Sequence, residues 1–285
     1  MCRFMVYKGL PALMADLVTR PSHSLIKQSI KSLEREEPLN GDGFGIGWYI
    51  PQISSKPGLY TSLTPAWANR NLERIAETIE TPCLFAHVRA ASVGGLIETN
   101  CHPFQYGNLL FMHNGTIAEF EKIKRKLRES LKDEYYNIIL GTTDSEHAFA
   151  LFLNSLKTAP DEASLKEIVE ALSVCLKKIR DWSFEEEIDK ISTCNFAVTN
   201  GKEIVVTRYV SDPGYKAESL YYTTGKRFEC LEGECRMIDL KKESNAIIIS
   251  SEPLTEYRED WTSLPENHFL TVNSDNKMDL FPIIF

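Results

Sequence analysis

The 285-residue chain has no run of about 18 apolar residues, so no segment is expected to span a membrane. Pro11 and Asp16 break its first apolar stretch, so no secretory signal peptide is expected. Basic charge is not in excess: 40 Asp and Glu against 32 Lys and Arg give a formal net charge of −8. The one basic cluster, KIKRKLR at 122–128, falls on a helical pattern with glutamates nearby. It reads as a solvated helix face, and no nucleic-acid partner is expected. Cysteine is scarce and unpatterned. Seven scattered residues do not suggest a disulfide framework, and the chain reads as a cytoplasmic protein with reduced thiols. In that compartment the sequon Asn114-Gly115-Thr116 would stay unmodified.

Several motifs are also missing. There is no P-loop and no G-x-S-x-G elbow. The glycines at 41, 43, 45 and 47 do not make a dinucleotide fingerprint, because position 46 is isoleucine. Their period of two suits a strand with one bare face, where another backbone or a ligand approaches closely. His87, His102, His113 and His147 lack zinc-site spacing, and Cys230 and Cys235 have no second pair. No metal and no cofactor are expected. The cysteines other than Cys2 read as packing residues, with Cys101 on a loop near a site.

What is present is an ordinary globular composition, 43% hydrophobic and 25% charged. Runs such as RFMVYKG, GFGIGWYI, GLYTSL, CLFAHVRA and NLLFMHNG read as strands in the first half. NFAVTNGKEIVVTRYV reads as a hairpin turning at Asn200-Gly201. SLYYTTG, AIIISS, HFLTVN and LFPIIF follow, for about ten strands. Apolar stripes at Ile26, Ile30 and Leu33, and at Leu72, Ile75 and Ile79, read as short helices. Longer helices are expected over Ile117–Leu131, from about Asp144 to Leu156, and through Leu165, Ile168, Leu172, Leu176 and Ile179. SFEEEID reads as a solvated loop. With helices clustered mid-chain and no strict βαβ alternation, the fold class is α+β: a layered sandwich of mainly antiparallel sheets in a single domain over 2–285.

Chemistry-bearing residues sit at the ends of these runs. Cys2 follows the start methionine, and FAHVRAAS ends a strand with Arg89. NLLFMHNG ends another with Asn114 and Gly115, and GTTDSEHAF places Asp144 at a helix start. Singly, each has a plain structural explanation: ion-pair partner, turn or N-cap. Together they suit cleavage of an amide at the γ-carbonyl of a glutamyl group. Arg89 can hold the α-carboxylate through two parallel hydrogen bonds, and Asp144 can hold the α-ammonium. Cys2 offers a thiol and, with Met1 removed, an α-amine whose ordinary pKa of about 7.7–8.0 suits a base near neutral pH. The Asn114 amide and the Gly115 N–H can face a developing oxyanion, where losing one donor costs roughly 3–4 kcal/mol of barrier.

MCRF, FAHVRAAS, FMHNG and TDSE resemble the class II glutamine amidotransferases, which belong to the N-terminal-nucleophile (Ntn) hydrolases. The resemblance implies a four-layer αββα sandwich and a cysteine exposed by loss of Met1. It implies Cys2 as nucleophile, Arg89 as carboxylate anchor, Asn114 and Gly115 as oxyanion hole and Asp144 as amine anchor. Ser92 falls where that family has a hydroxyl contact to substrate. Ala90 departs from the tryptophan of the large biosynthetic members. LVTRPSHSLIKQS, NGDGFGIGWY, LTPAWANRNL, ETNCHPF, NFAVTNG and SSEPLTEYREDWTSLP, spread over nearly the whole chain, are similar to the amidotransferase-like subunits of the Dug glutathione-degrading complex. That narrower resemblance implies glutathione as substrate and a metallopeptidase-like partner subunit. Two alternatives stay open: a glutaminase subunit supplying ammonia to a partner synthase, and an inactive amidotransferase fold used as a scaffold.

Overall fold

The computed structural model describes residues 2–34, 39–91, 94–231, 233–239 and 245–285. In chain order the elements are β1 (Arg3–Leu13), α1 (Met14–Val18), α2 (Leu25–Ile30), β2 (Phe44–Tyr49), β3 (Gly58–Ser62), α3 (Arg70–Ala76) and β4 (Glu80–Val88). Then come β5 (Phe104–Tyr106), β6 (Leu109–Thr116), α4 (Phe120–Glu129), α5 (Asp133–Tyr136), α6 (Asp144–Ser155) and α7 (Leu165–Glu185). The last are β7 (Thr193–Thr199), β8 (Ile204–Val210), β9 (Tyr221–Gly225), β10 (Arg227–Leu231), β11 (Glu234–Ile238), β12 (Ala246–Ser250), β13 (Thr262–Ser263), β14 (His268–Val272) and β15 (Met278–Pro282).

The strands form a seven-stranded sheet, β13-β9-β12-β1-β4-β2-β3, a six-stranded sheet, β15-β14-β8-β7-β6-β5, and the separate hairpin β10-β11. Pairing is antiparallel throughout the described ladders. Period-two alternation divides each strand between two cores. On β1, Phe4 and Val6 enter the layer between the sheets with Leu110, Met112, Val206 and Ile249, while Met5 and Tyr7 face outward. On β6, Phe111 points the opposite way from Leu110 and Met112, into a core with Ile123, Phe152 and Leu172. Helices α4, α6 and α7 thus cover the six-stranded sheet, and α1–α3 with β10-β11 cover the seven-stranded one. This is the expected α+β sandwich in four layers. Among the described residues no helix is long and apolar enough to cross a membrane.

The bare face of the glycine run meets another backbone. A Cβ at Gly45 would overlap the His102 carbonyl oxygen, and one at Gly47 would lie 2.6 Å from Leu110 Cδ1. The segment carrying Cys101 and His102 therefore lies directly against the inner side of β2. The basic cluster is a solvated face: on α4, Lys124 pairs with Glu121, Arg125 with Glu129, and Lys126 with Glu185 and Glu186.

Some expectations fail. Cys230 and Cys235 form a disulfide. They are cross-strand neighbours in the β10-β11 ladder, with Cα atoms 4.0 Å apart, and the sequence shows no strand pattern strong enough to announce that hairpin. The stripe Ile26, Ile30, Leu33 is not the buried face of α2. The helix ends at Ile30, Ile30 and Leu33 are 49% and 53% exposed, and the buried residues are Leu25, Gln28 and Ser29. SFEEEID is not wholly loop, since α7 runs through Glu185 and its last acidic residues face Lys126. Among the described residues the strands number fifteen; β5, β10, β11 and β13 are too short or too polar to read from the sequence.

Gly45→Ala is expected to lower stability by about 1–3 kcal/mol, because the methyl group enters space held by backbone. Urea unfolding measures this, and an unchanged midpoint would contradict the close approach.

Candidate active site

Two ladders bring the candidate residues together. In the β1–β4 register Arg3 faces Val88 and Phe4 faces His87, so one step further Cys2 lies beside Arg89. Cys2 continues the Phe4–Val6 face and points between the sheets. From the other sheet, Asn114 continues the Leu110–Met112 face of β6 toward the same end. Asn114 is tied across the layer: its Nδ2 donates to Ser251 Oγ (3.3 Å), which also accepts Phe4 N (3.0 Å).

The Cys2 thiol is half-buried and donates to Ala90 O at 3.6 Å. Burial pushes the thiol up to about 11, the nearby Arg89 charge opposes that rise, and Asp144 adds to it. At neutral pH this sulfur is a thiol, so it needs a base to become a nucleophile. The buried histidines do not supply one. His87 Nε2 contacts His113 O at 3.2 Å, and the His113 ring contacts Ser145 Oγ and Thr193 O. Burial lowers His87 to about 3 and depresses His102 and His113 as well. They are neutral packing groups bracing one sheet on the other.

Arg89 is buried, and its backbone is clasped by Gly43 O on one side and Asp42 N on the other. Asp144 is buried at the first turn of α6. It is not the N-cap; Thr143 is, accepting Glu146 N at 3.2 Å. That leaves the Asp144 carboxylate to accept Ile117 N and Ser145 N, each at 2.8 Å, which aims it back toward the end of β6. Gly115 has φ +152, and a Cβ there would overlap Thr193 O, so only glycine fits where β6 meets β7. Asn100 bonds both Thr142 N (2.9 Å) and Thr142 Oγ1 (3.3 Å), joining the segment after Arg89 to the start of α6. Cys101 is buried, with its thiol on Ser62 O, and lies within electrostatic reach of Cys2 and Arg89. Ser92 and Met1 lie outside the described residues.

Cys2, Arg89, Asn114, Gly115 and Asp144 thus share one end of the gap between the sheets. The arrangement offers a sulfur, a buried cation, a buried carboxylate, a carboxamide and a strand-end N–H. Four further residues escaped sequence reasoning as individuals. Ser251 orients Asn114. Asn195, paired with Asn114 across β6–β7, is fully buried, and among the described residues its Oδ1 has no partner, nor has the Oδ1 of Asn114. Arg3 and Glu252 form a buried ion pair beneath Cys2. The signal for the pair was present as MCR and SEPL, but not as a contact.

A family model described as glutamine amidotransferases class-II matches residues 10–280, and the chain belongs to that family. The fold agrees with solved relatives. A class-II domain protein from Silicibacter pomeroyi aligns at TM-score 0.66 and 24% identity, over 99% of this chain and 100% of that one. The phosphoribosylpyrophosphate amidotransferase of B. subtilis aligns at TM-score 0.63 and 14% identity, over 99% of this chain and 49% of that one. In sequence, the chain is 44% identical to a Saccharomyces cerevisiae protein named probable glutamine amidotransferase DUG3, over 100% of this chain and 85% of the relative. It is also 32% identical to the gamma-glutamyl-hercynylcysteine sulfoxide hydrolase of Mycolicibacterium smegmatis, over 41% of this chain and 52% of that protein.

Because burial holds the thiol near 11, carbamidomethylation of Cys2 in the chain that retains Met1 is expected to rise about tenfold per pH unit from pH 7 to beyond 10. Peptide mapping after brief iodoacetamide exposure measures this. A plateau below pH 9 would show a thiolate already stabilised by its surroundings.

Proposed function

We propose that the chain, after loss of Met1, hydrolyses a γ-glutamyl amide through a γ-glutamyl thioester on Cys2. The observation that carries this reading is the convergence of Cys2 and Arg89 from adjacent strands with Asn114, Gly115 and Asp144 at one end of the inter-sheet gap. Arg89 holds the substrate α-carboxylate and Asp144 the α-ammonium, with Ser92 as a further hydroxyl contact. Cys2 Sγ attacks the γ-carbonyl while its proton passes to the Cys2 α-amine. The carbonyl oxygen becomes an oxyanion facing Asn114 Nδ2 and Gly115 N–H. When the intermediate collapses, the α-amine returns the proton to the departing amine and the C–N bond breaks. Water then attacks the thioester by the same relay, releasing glutamate and restoring the thiol.

Glutathione is the substrate this reading favours. It shares the γ-glutamyl head with glutamine, so the same two clamps serve both; only the leaving amine differs. The residue contacting the thiol, Ala90, carries a single methyl group, which suits a leaving amine larger than ammonia. The likeness to DUG3 and to a hydrolase named for a γ-glutamyl compound supports the same choice. The work is assigned to the cytoplasm, to residues 2–285 acting as one domain, and to a complex with a metallopeptidase-like partner. Family membership favours glutamine as the second reading, with ammonia as the product.

Processed protein given glutathione and glutamine in parallel is expected to release glutamate faster from glutathione; the reverse order would select the glutaminase reading. Cys2→Ala should abolish release while the protein stays folded. Arg89→Lys should raise KM about tenfold or more, since lysine cannot make the planar bidentate pair; an unchanged KM would make Arg89 structural.

A further inference from the structure

β1 is paired on both sides over Met5–Lys8, but not at its catalytic end. Its ladder with β12 runs Lys8↔Ile247, Tyr7↔Ile248, Val6↔Ile249, Met5↔Ser250. Continuing the register puts Phe4 opposite Ser251, Arg3 opposite Glu252 and Cys2 opposite Pro253. Ser251 N still donates to Phe4 O at 3.0 Å. The next donor on that edge would be the N–H of residue 253, and proline has none. The ladder therefore stops one step short of Cys2.

A side chain takes over there. Arg3 Nη1 donates to Cys2 O at 3.1 Å, and Arg3 Nε donates to Glu252 Oε1 at 2.8 Å and to Ser32 Oγ at 3.0 Å. Glu252 in turn is closed in by the segment around α2. It accepts Leu33 N (2.9 Å), Glu34 N (3.3 Å) and the Ser32 hydroxyl, and contacts His23 Nε2 at 2.7 Å. Gln28 Nε2 holds the Glu252 backbone carbonyl at 3.4 Å. This explains why the inner face of α2 is polar. Burial alone would raise the Glu252 carboxyl, but His23, Ser32, Leu33 N and Arg3 bring it down to about 2, so it is ionised at any working pH. Arg3 and Glu252 side chains are 0% and 1% exposed.

We propose that the Arg3–Glu252 pair is a positioning device for the nucleophile: it replaces the missing ladder bond at Pro253 and so fixes the Cys2 main chain, and with it the α-amine and thiol. The proposal rests on the reading of Cys2 as nucleophile. It assigns the two motifs MCR and SEPL a joint role, since each supplies one half of the pair. Neither side chain faces the gap between the sheets; both act on the opposite face, through the Cys2 carbonyl.

The test is the double variant R3M/E252M, which removes both charges and fills the site with apolar side chains. Removing one partner leaves a buried charge stranded, whereas removing both together can preserve the fold. The expected result is a folded protein with a lowered melting temperature, because Ser32, Leu33 N and Glu34 N lose their acceptor, with kcat lowered about 10²-fold and KM within about twofold, since Arg89 and Asp144 are untouched. Hydrogen exchange at residues 2–5 should quicken roughly tenfold while the rest of β1 keeps its protection. Parental kcat with unchanged exchange would overturn the proposal and leave the pair structural. If the double variant does not fold, Arg3→Lys decides. Arg3 spans the two acceptors with two nitrogens, Nε on Glu252 and Nη1 on Cys2 O, where lysine has one, so kcat should fall with KM kept; full kcat would overturn the proposal. If the parent releases no glutamate from either glutathione or glutamine, the nucleophile reading fails by itself. The exchange comparison still shows whether the pair holds the start of β1.

Discussion

Everything in this molecule depends on how tightly the start of β1 is held between two sheets. The proposed nucleophile, Cys2, stands just ahead of β1, where a strand end would ordinarily fray because it has few contacts to offset its conformational entropy. Here β1 is internal to its sheet, with β4 on one side and β12 on the other. The β4 ladder reaches Arg3, and its extension sets Arg89 against Cys2. On the β12 side Ser251 and the Arg3–Glu252 pair continue the grip past the last ladder bond. Position is supplied by strand register and by buried polar contacts, not by a rigid loop.

The same constraint explains the polar end of an otherwise apolar layer. Phe4, Val6, Leu110, Met112 and Ile249 fill the gap between the sheets, and a single period-two step beyond them lie Cys2, Asn114 and Ser251. Groups that would be costly in mid-core are tolerated at the edge because they bond one another across it. The neutral histidines behind them add packing without adding a competing base. On the proposed reading the chemistry falls to the Cys2 thiol, whose burial keeps it protonated until a base acts, and to charges fixed on either side of it.

Much of this was legible in the sequence. Alternation along RFMVYKG and NLLFMHNG announced strands with two different faces, and the bare face of the glycine run announced a close approach, which residues 102 and 103 make. Cys2, Arg89, Asn114, Gly115 and Asp144 could be gathered because each ends a regular run, where side chains emerge from a core. What could not be read depended on contacts between distant segments. Nothing local says that Arg3 meets Glu252, or that Gln28 is buried to close over it; the apolar residues near Gln28 pointed to the wrong face of α2. The Cys230–Cys235 disulfide was hidden for a related reason, because β10 and β11 are polar, short strands whose pairing is decided by packing on α1 and β12. The helical run through Glu185 was masked by its own acidity, which Lys126 on α4 meets.

The central claim is that Cys2 carries the γ-glutamyl group during turnover. The most direct measurement is rapid acid quenching of the Met1-processed protein during turnover with glutathione, followed by peptide mapping for one γ-glutamyl group in thioester linkage. The account predicts that label on the N-terminal peptide at Cys2, and its disappearance as substrate is exhausted. Turnover with the label on another residue, or on none, would contradict it.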